Sequence, residues 1–192
     1  MVKFILPLIL IITINSYSNS VLVLKAGGSF NGNFNKEYWN EKNKTSLNLQ
    51  GIIEVQKEMN SYLSVGFGSG YHQGAELEKL GENNSTSNED NLILFNSIPV
   101  YVTGQLYFFK SNFLRIYTKL NYGYSYNFED ELAKKRNIKI ENGNYYGAGL
   151  GLELKAIILE IIYEVNEAFV NEGLQSKKTD FNRISAYIGI KI

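Results

Sequence analysis

From Val21 onward apolar and polar residues alternate, and helical spacing is not sustained over any long stretch. A period of two belongs to β-strands, whose neighbouring side chains point to opposite faces. Runs rich in β-branched and aromatic residues, punctuated by turn residues, predict eight strands. They cover 21–33, 46–56, 62–72, 92–109, 113–126, 144–155, 157–167 and 183–192.

Each predicted strand divides into an apolar and a polar face. The fourth sets Ile98, Val100, Val102, Leu106 and Phe108 against Tyr101, Thr103, Gln105 and Tyr107. The fifth sets Leu114, Ile116, Leu120, Tyr122 and Tyr124 against Arg115, Lys119, Asn121 and Ser125. Strand-borne charges follow the same rule: Lys25, Glu54, Arg115, Lys119, Glu153, Glu160, Glu164, Arg183 and Lys191 all fall on polar faces. So do Gly27, Gly66, Gly68, Gly70, Gly123, Gly147, Gly149, Gly151 and Gly189. A polar face turned to water has no need of small residues. The interior of a narrow eight-stranded barrel does, because it is only wide enough for side chains. The apolar faces are therefore expected to point outward, into lipid.

Connection lengths agree. Short turns are expected near Lys57–Ser61, Lys110–Asn112 and Lys155–Ala156, and long polar loops at Phe34–Thr45, Gln73–Asn91, Asn127–Gly143 and Ala168–Asn182. Turns short at one end and long at the other are the layout of outer-membrane barrels, and an even strand number puts both termini at the short-turn end. The expected fold class is all-β: an eight-stranded antiparallel up-and-down transmembrane β-barrel over residues 21–192. A soluble barrel that binds an apolar ligand inside is the alternative, and it requires the faces to be inverted.

Residues 1–20 read differently. Lys3 precedes an apolar run, Phe4 to Ile14, and small residues follow at Ser16, Ser18 and Ser20. This is the layout of a secretory signal peptide, too short to cross a bilayer as a helix. Cleavage after Ser18 and after Ser20 both satisfy the small-residue rule. Loss of Lys3 with that segment would leave a mature net charge of −1, against zero for the whole chain.

Composition narrows the chemistry. The 192 residues carry 19 basic and 19 acidic side chains, so bulk charge does not favour nucleic acid. Cysteine is absent, which removes disulfides, thiolate metal sites and cysteine nucleophiles. His72 is the single histidine and the only possible imidazole base, yet no catalytic motif surrounds it. It is placed on the polar face near the top of the third strand, as a rim residue that bonds or is solvated. The expectation is a non-enzyme without metal or cofactor.

Three segments carry a resemblance to a known group: Ile98-Pro99-Val100-Tyr101 leading to Leu106-Tyr107-Phe108-Phe109, the strand Tyr145-Tyr146-Gly147-Ala148-Gly149-Leu150-Gly151, and the ending Tyr187-Ile188-Gly189-Ile190-Lys191-Ile192. The chain resembles the small eight-stranded outer-membrane barrels of the OmpA-like, OmpX-like and Opa-like superfamily. The resemblance spans the whole mature chain and is one of pattern more than of motif. It implies residence in the outer membrane of a Gram-negative-type bacterium and contact with outer-membrane lipid and lipopolysaccharide. It also implies a C-terminal strand read by the outer-membrane assembly machinery. The ending departs from the usual pattern, with Ile192 where the family has Phe.

Inward charges in a narrow lumen must pair, since an unpaired one costs several kcal/mol. Counting residues from the short turns predicts a cluster of Arg115, Glu153 and Glu160, with Lys25 and Glu54 joining, and a Lys119–Glu164 pair above it. Such a network either plugs the lumen or lines a narrow polar path for water and ions. Lys134-Lys135-Arg136, in the third long loop, is a candidate contact for lipopolysaccharide phosphates. The expected role is a monomeric, structural or surface-interactive (adhesin-like) barrel acting through long external loops. A porin-like pore is the alternative.

Overall fold

The computed structural model describes residues 20–34, 48–78, 92–129, 134, 138–172 and 175–192. The segment read as a signal peptide lies outside these residues apart from Ser20, and so do most of the first two predicted loops. Nine strand segments are formed among the described residues: β1 (Ser20–Phe34), β2 (Asn48–Glu58), β3 (Leu63–Glu78), β4 (Leu92–Lys110), β5 (Leu114–Glu129), β6 (Ile138–Glu141), β7 (Gly143–Leu154), β8 (Ile157–Glu172) and β9 (Gln175–Lys191).

Every pairing is antiparallel between neighbours, in the order β1-β2-β3-β4-β5-β7-β8-β9, and β9 pairs back onto β1. The ring of eight staves thus closes on itself, each paired on both sides. The four-residue β6 is not a ninth stave. It stands above β7 and pairs with β8 through Glu141↔Phe169 to Ile138↔Glu172, just beyond the Tyr145↔Asn166 pair of β7. The chain is an eight-stranded up-and-down transmembrane barrel.

The faces sort as expected. Leu120, Leu150, Ile161 and Ile188 are 66, 58, 60 and 59 % exposed on the outside, whereas Glu160 is 2 % exposed. A soluble barrel would have this order inverted, so that alternative falls. The shorter staves, β2 and β7, have 11 and 12 residues. A tilted strand of roughly 9–11 residues crosses the hydrocarbon layer. Exposed aromatics stand toward both ends of the apolar belt, with Tyr62, Phe108, Phe109 and Phe113 at the short turns and Tyr71, Tyr122, Tyr124 and Tyr163 toward the other end. Interfacial girdles occupy these positions in such barrels.

The short turns fall where they are predicted. In the two-residue turn after β7, Lys155 adopts a left-handed backbone (φ 53°). The fourth predicted loop does not hold. Pairing of β8 with β9 continues through Glu167↔Asp180, Phe169↔Lys178 and Asn171↔Ser176 to Glu172↔Gln175, so 168–182 is mostly a protruding hairpin. Similarly, β3 and β4 remain paired up to Glu78↔Leu92. Past Glu167 the alternation lapses, with Ala168-Phe169-Val170 apolar in a row and Gln175 to Asp180 polar in a row. The backbone donors and acceptors still need partners, and the ladder supplies them.

The inward glycines mark where the lumen is crowded. A Cβ on Gly68 would strike the Tyr101 ring, and one on Gly151 the Tyr117 ring. In both cases the tyrosine is the direct cross-strand partner of the glycine. By contrast, Cβ atoms on the outward Gly51 and Gly104 would meet nothing within 4 Å.

Candidate functional site: the barrel interior

Alternation on each stave sends one residue in two into the lumen, and closure of the ring brings residues from distant parts of the chain together there. Lys25 of β1, Glu54 of β2, Lys119 of β5 and Glu160 of β8 meet in a four-membered cluster. Lys25 Nζ lies 2.7 Å from Glu54 and 2.8 Å from Glu160, and Lys119 Nζ lies 2.7 Å from Glu54 and 3.1 Å from Glu160. All four side chains are fully buried. Tyr101 donates its hydroxyl proton to Glu54 (2.7 Å), Tyr117 to Glu160 (2.8 Å), and Gln56 Nε2 donates to Glu54 (2.7 Å). Two cations and two carboxylates leave no net charge. This arrangement and the added donors are what let ions persist in a medium that solvates them poorly.

A second cluster centres on Glu164. Its carboxylate accepts from Arg183 Nε (2.8 Å), Ser185 Oγ (2.6 Å), and the hydroxyl of Tyr145 (2.5 Å), and Tyr187 Oη lies 2.9 Å away. Tyr187 also bonds Gln50, and Arg183 reaches His72 Nδ1. Ile52, Tyr101, Tyr145, Ile162 and Tyr187 pack into one core cluster, so apolar and phenolic surface fills the space left by the ion pairs.

A third group lies at the short-turn end. Glu58 accepts from Lys110 (2.8 Å) and Arg115 (2.5 Å), while Glu153 is 3.4 Å from Arg115 and 2.6 Å from Lys191.

The seven charged residues expected in the lumen are thus all inward, in different company. Arg115 bonds Glu58 and Glu153 near the rim and not Glu160, whose cations are Lys25 and Lys119. The predicted Lys119–Glu164 pair is not formed, because Glu164 faces Arg183 directly in register on the adjacent stave. Counting residues from the turns treats all staves as upright and equally spaced. They are tilted and staggered, so equal counts do not give equal depth across the lumen. His72 is also corrected: β3 continues six residues past it, and it is 1 % exposed, with its ring 5.9 Å from that of Tyr145.

The inward tyrosines are the residues that sequence reasoning undervalued. Tyr101, Tyr117, Tyr145 and Tyr187 supply a hydroxyl to each carboxylate cluster. Their signal was present: each sits at the polar-face phase of its strand, opposite an inward glycine on a neighbouring strand. Lys134-Lys135-Arg136 falls mostly outside the described residues, with Lys134 alone described, as exposed.

No known family profile matches the chain. An uncharacterized protein of Pasteurella multocida is 36 % identical over 87 residues, a match covering 36 % of this chain and 37 % of that protein. The match thus spans little more than a third of that curated relative's length. Among solved structures, the outer membrane protein OprG from Pseudomonas aeruginosa superimposes with a TM-score of 0.58 at 15 % identity, covering 91 % of this chain and 96 % of that one. Neisserial surface protein A superimposes with a TM-score of 0.53 at 9 % identity, covering 91 % and 98 %. The chain has the fold of the small outer-membrane barrels.

Proposed function

We propose that this chain is an integral outer-membrane barrel with a closed lumen and a structural or surface-interactive role, exercised at the end away from the termini. One observation carries the reading. Lys25, Glu54, Lys119 and Glu160 interlock from four staves across the lumen, fully buried, with Tyr101 and Tyr117 bonded to them. Ions could pass only by breaking these bonds in a poorly solvating interior. On this reading the working surface is external. The protruding β8–β9 and β3–β4 hairpins support that, because they carry the sheet past the apolar belt.

The remaining assignments belong to the same proposal. Residues 1–20 direct export, the C-terminal strand is the segment handled by the assembly machinery, and the barrel is a monomer in contact with phospholipid and lipopolysaccharide. It is not an enzyme: His72 is sealed between Arg183 and Tyr145 and is not placed to take a proton from a substrate at the rim.

A narrow polar path is the second reading, favoured by a specific observation. Ser29 Oγ, Thr103 Oγ1, Gln105 Nε2, Asn121 Oδ1 and His72 Nε2 are buried inward atoms without a partner among the described residues. Buried polar groups of this kind hold water. Planar-bilayer recording of the refolded full chain separates the two. Silence of the parent protein, with discrete conductance only after Lys119 and Glu160 are both replaced by alanine, is the expected result. Steady single-channel steps in the unmodified protein would overturn the closed-lumen reading.

A further inference from the structure

On the lipid-facing surface, two adjacent register rows run across β2, β3, β4 and β5. The upper row is Val55, Phe67, Val102 and Tyr122. The lower row is Lys57, Val65, Gly104 and Leu120. Where the lower row reaches β4 a side chain is missing, and a groove of about 480 Å³ opens between the rows. That volume is in the range of ligand clefts, roughly 300–1,000 Å³.

Packing does not demand this glycine. Inward glycines such as Gly68 would collide with a neighbour if given a Cβ, but Gly104 has free space within 4 Å. Within a strand interior glycine weakens the strand, and it is found where another group approaches closely. The walls here are apolar, with Leu120 66 % and Tyr122 59 % exposed. At the β2 end the groove is lined by Lys57, one residue before the end of β2 and in register with Ser20 at the start of β1. Long cationic side chains near the ends of membrane-spanning segments lay their stems along apolar surface at the headgroup boundary, and Lys57 has that place in β2, on the side of the leaflet that faces the termini.

We infer that this groove holds one glycerophospholipid of that leaflet, with an acyl chain lying over Gly104 and its phosphate paired with Lys57. The inference rests on the membrane reading above. Apolar walls match a hydrocarbon chain, the glycine notch lets the chain approach the sheet, and Lys57, the one cationic residue among those that line the groove, matches a phosphate. The occupant is the phospholipid and not a second copy of the chain, because a cation at the end of an apolar groove suits an amphiphile with one anionic head.

The test uses the full chain folded in vesicles of palmitoyl-oleoyl phosphatidylglycerol, extracted into mild detergent and weighed by native mass spectrometry. The parent protein is expected to keep one lipid. Gly104→Leu, which fills the notch, should cut that retained fraction at least fivefold, and Lys57→Gln should weaken it while leaving retention of phosphate-free diacylglycerol unchanged. Gly51→Leu, an outward glycine elsewhere on the surface with equal free space, should change nothing. Equal retention in Gly104→Leu and parent, equal loss in both glycine variants, or a dimer that only Gly104→Leu dissociates would each overturn the inference. Migration of unboiled samples on gels reports insertion separately. If the parent protein does not fold into vesicles, the membrane reading fails. If it folds and carries no lipid, only this inference does.

Discussion

Replacing Lys119 with methionine keeps most of the apolar stem and removes one of the two cations that neutralise Glu54 and Glu160. Lys119 Nζ lies within hydrogen-bond reach of both oxygens of each carboxylate, at 2.7 and 2.8 Å for Glu54 and 3.1 and 3.3 Å for Glu160. After the change Lys25 alone faces two carboxylates, with the phenols of Tyr101 and Tyr117 still donating one bond each. One buried negative charge is left uncompensated, which typically costs about 3–5 kcal/mol. Adding Glu54→Gln removes that surplus and leaves the Lys25–Glu160 pair, 2.8 Å apart. The double variant should therefore be more stable than Lys119→Met alone, with a coupling at the upper end of the roughly 0.5–3 kcal/mol seen for contacting residues. Urea unfolding in lipid vesicles, followed by the migration of unboiled protein and by circular dichroism, measures all four corners of the cycle. A single variant within about 0.5 kcal/mol of the parent would place it among ordinary surface changes. That result, or strictly additive losses, would refute the idea that the cluster acts as a unit.

Other outcomes follow from the same geometry. Leu150→Arg puts a charge on the outward face and should destabilise the barrel by about 2–4 kcal/mol in vesicles if the site is near the bilayer midplane; insertion with unchanged urea stability would contradict the outward assignment. Gly151→Val drives a side chain into the Tyr117 ring, so folding yield should collapse, and Tyr117→Ala in the same chain should recover part of it. Outside the membrane-spanning part, some burial pushes the Glu167 carboxyl up, but bonds from Lys178 and Asn144 outweigh it and hold the group below its ordinary range. Its contribution is therefore in place above the ordinary carboxylate range and is lost as pH falls through the lowered folded value. The stability gap between parent and Glu167→Gln should accordingly lie within about 1 kcal/mol at neutral pH, as for other exposed pairs, and close in acid; a gap that widens in acid would reverse the assignment.

Alternation with a period of two carried most of the architecture. It fixes which of Leu150 and Gly149, or Ile161 and Glu160, faces out, since a one-residue slip would move a whole strand's apolar set to the wrong side. Charges such as Lys25, Glu54, Lys119 and Glu160 had only one face on which to go, and the inward glycines announced a lumen too narrow for side chains everywhere. The hairpin from Phe169 to Lys178 escaped this reading because past the apolar belt strand pairing needs only backbone hydrogen bonds, which leave no mark on hydropathy. His72 was misjudged for the same reason, its depth depending on how far β3 continues beyond it.

What local pattern determined, then, was the face of each residue and so the inside and outside of the barrel. Which inward residues meet was decided only by closure: Lys25 and Glu160 are 135 positions apart and bond at 2.8 Å because β9 returns to β1 and brings β8 with it. Tilt and stagger of the staves set that choice, and these are properties of the closed ring that no single strand encodes.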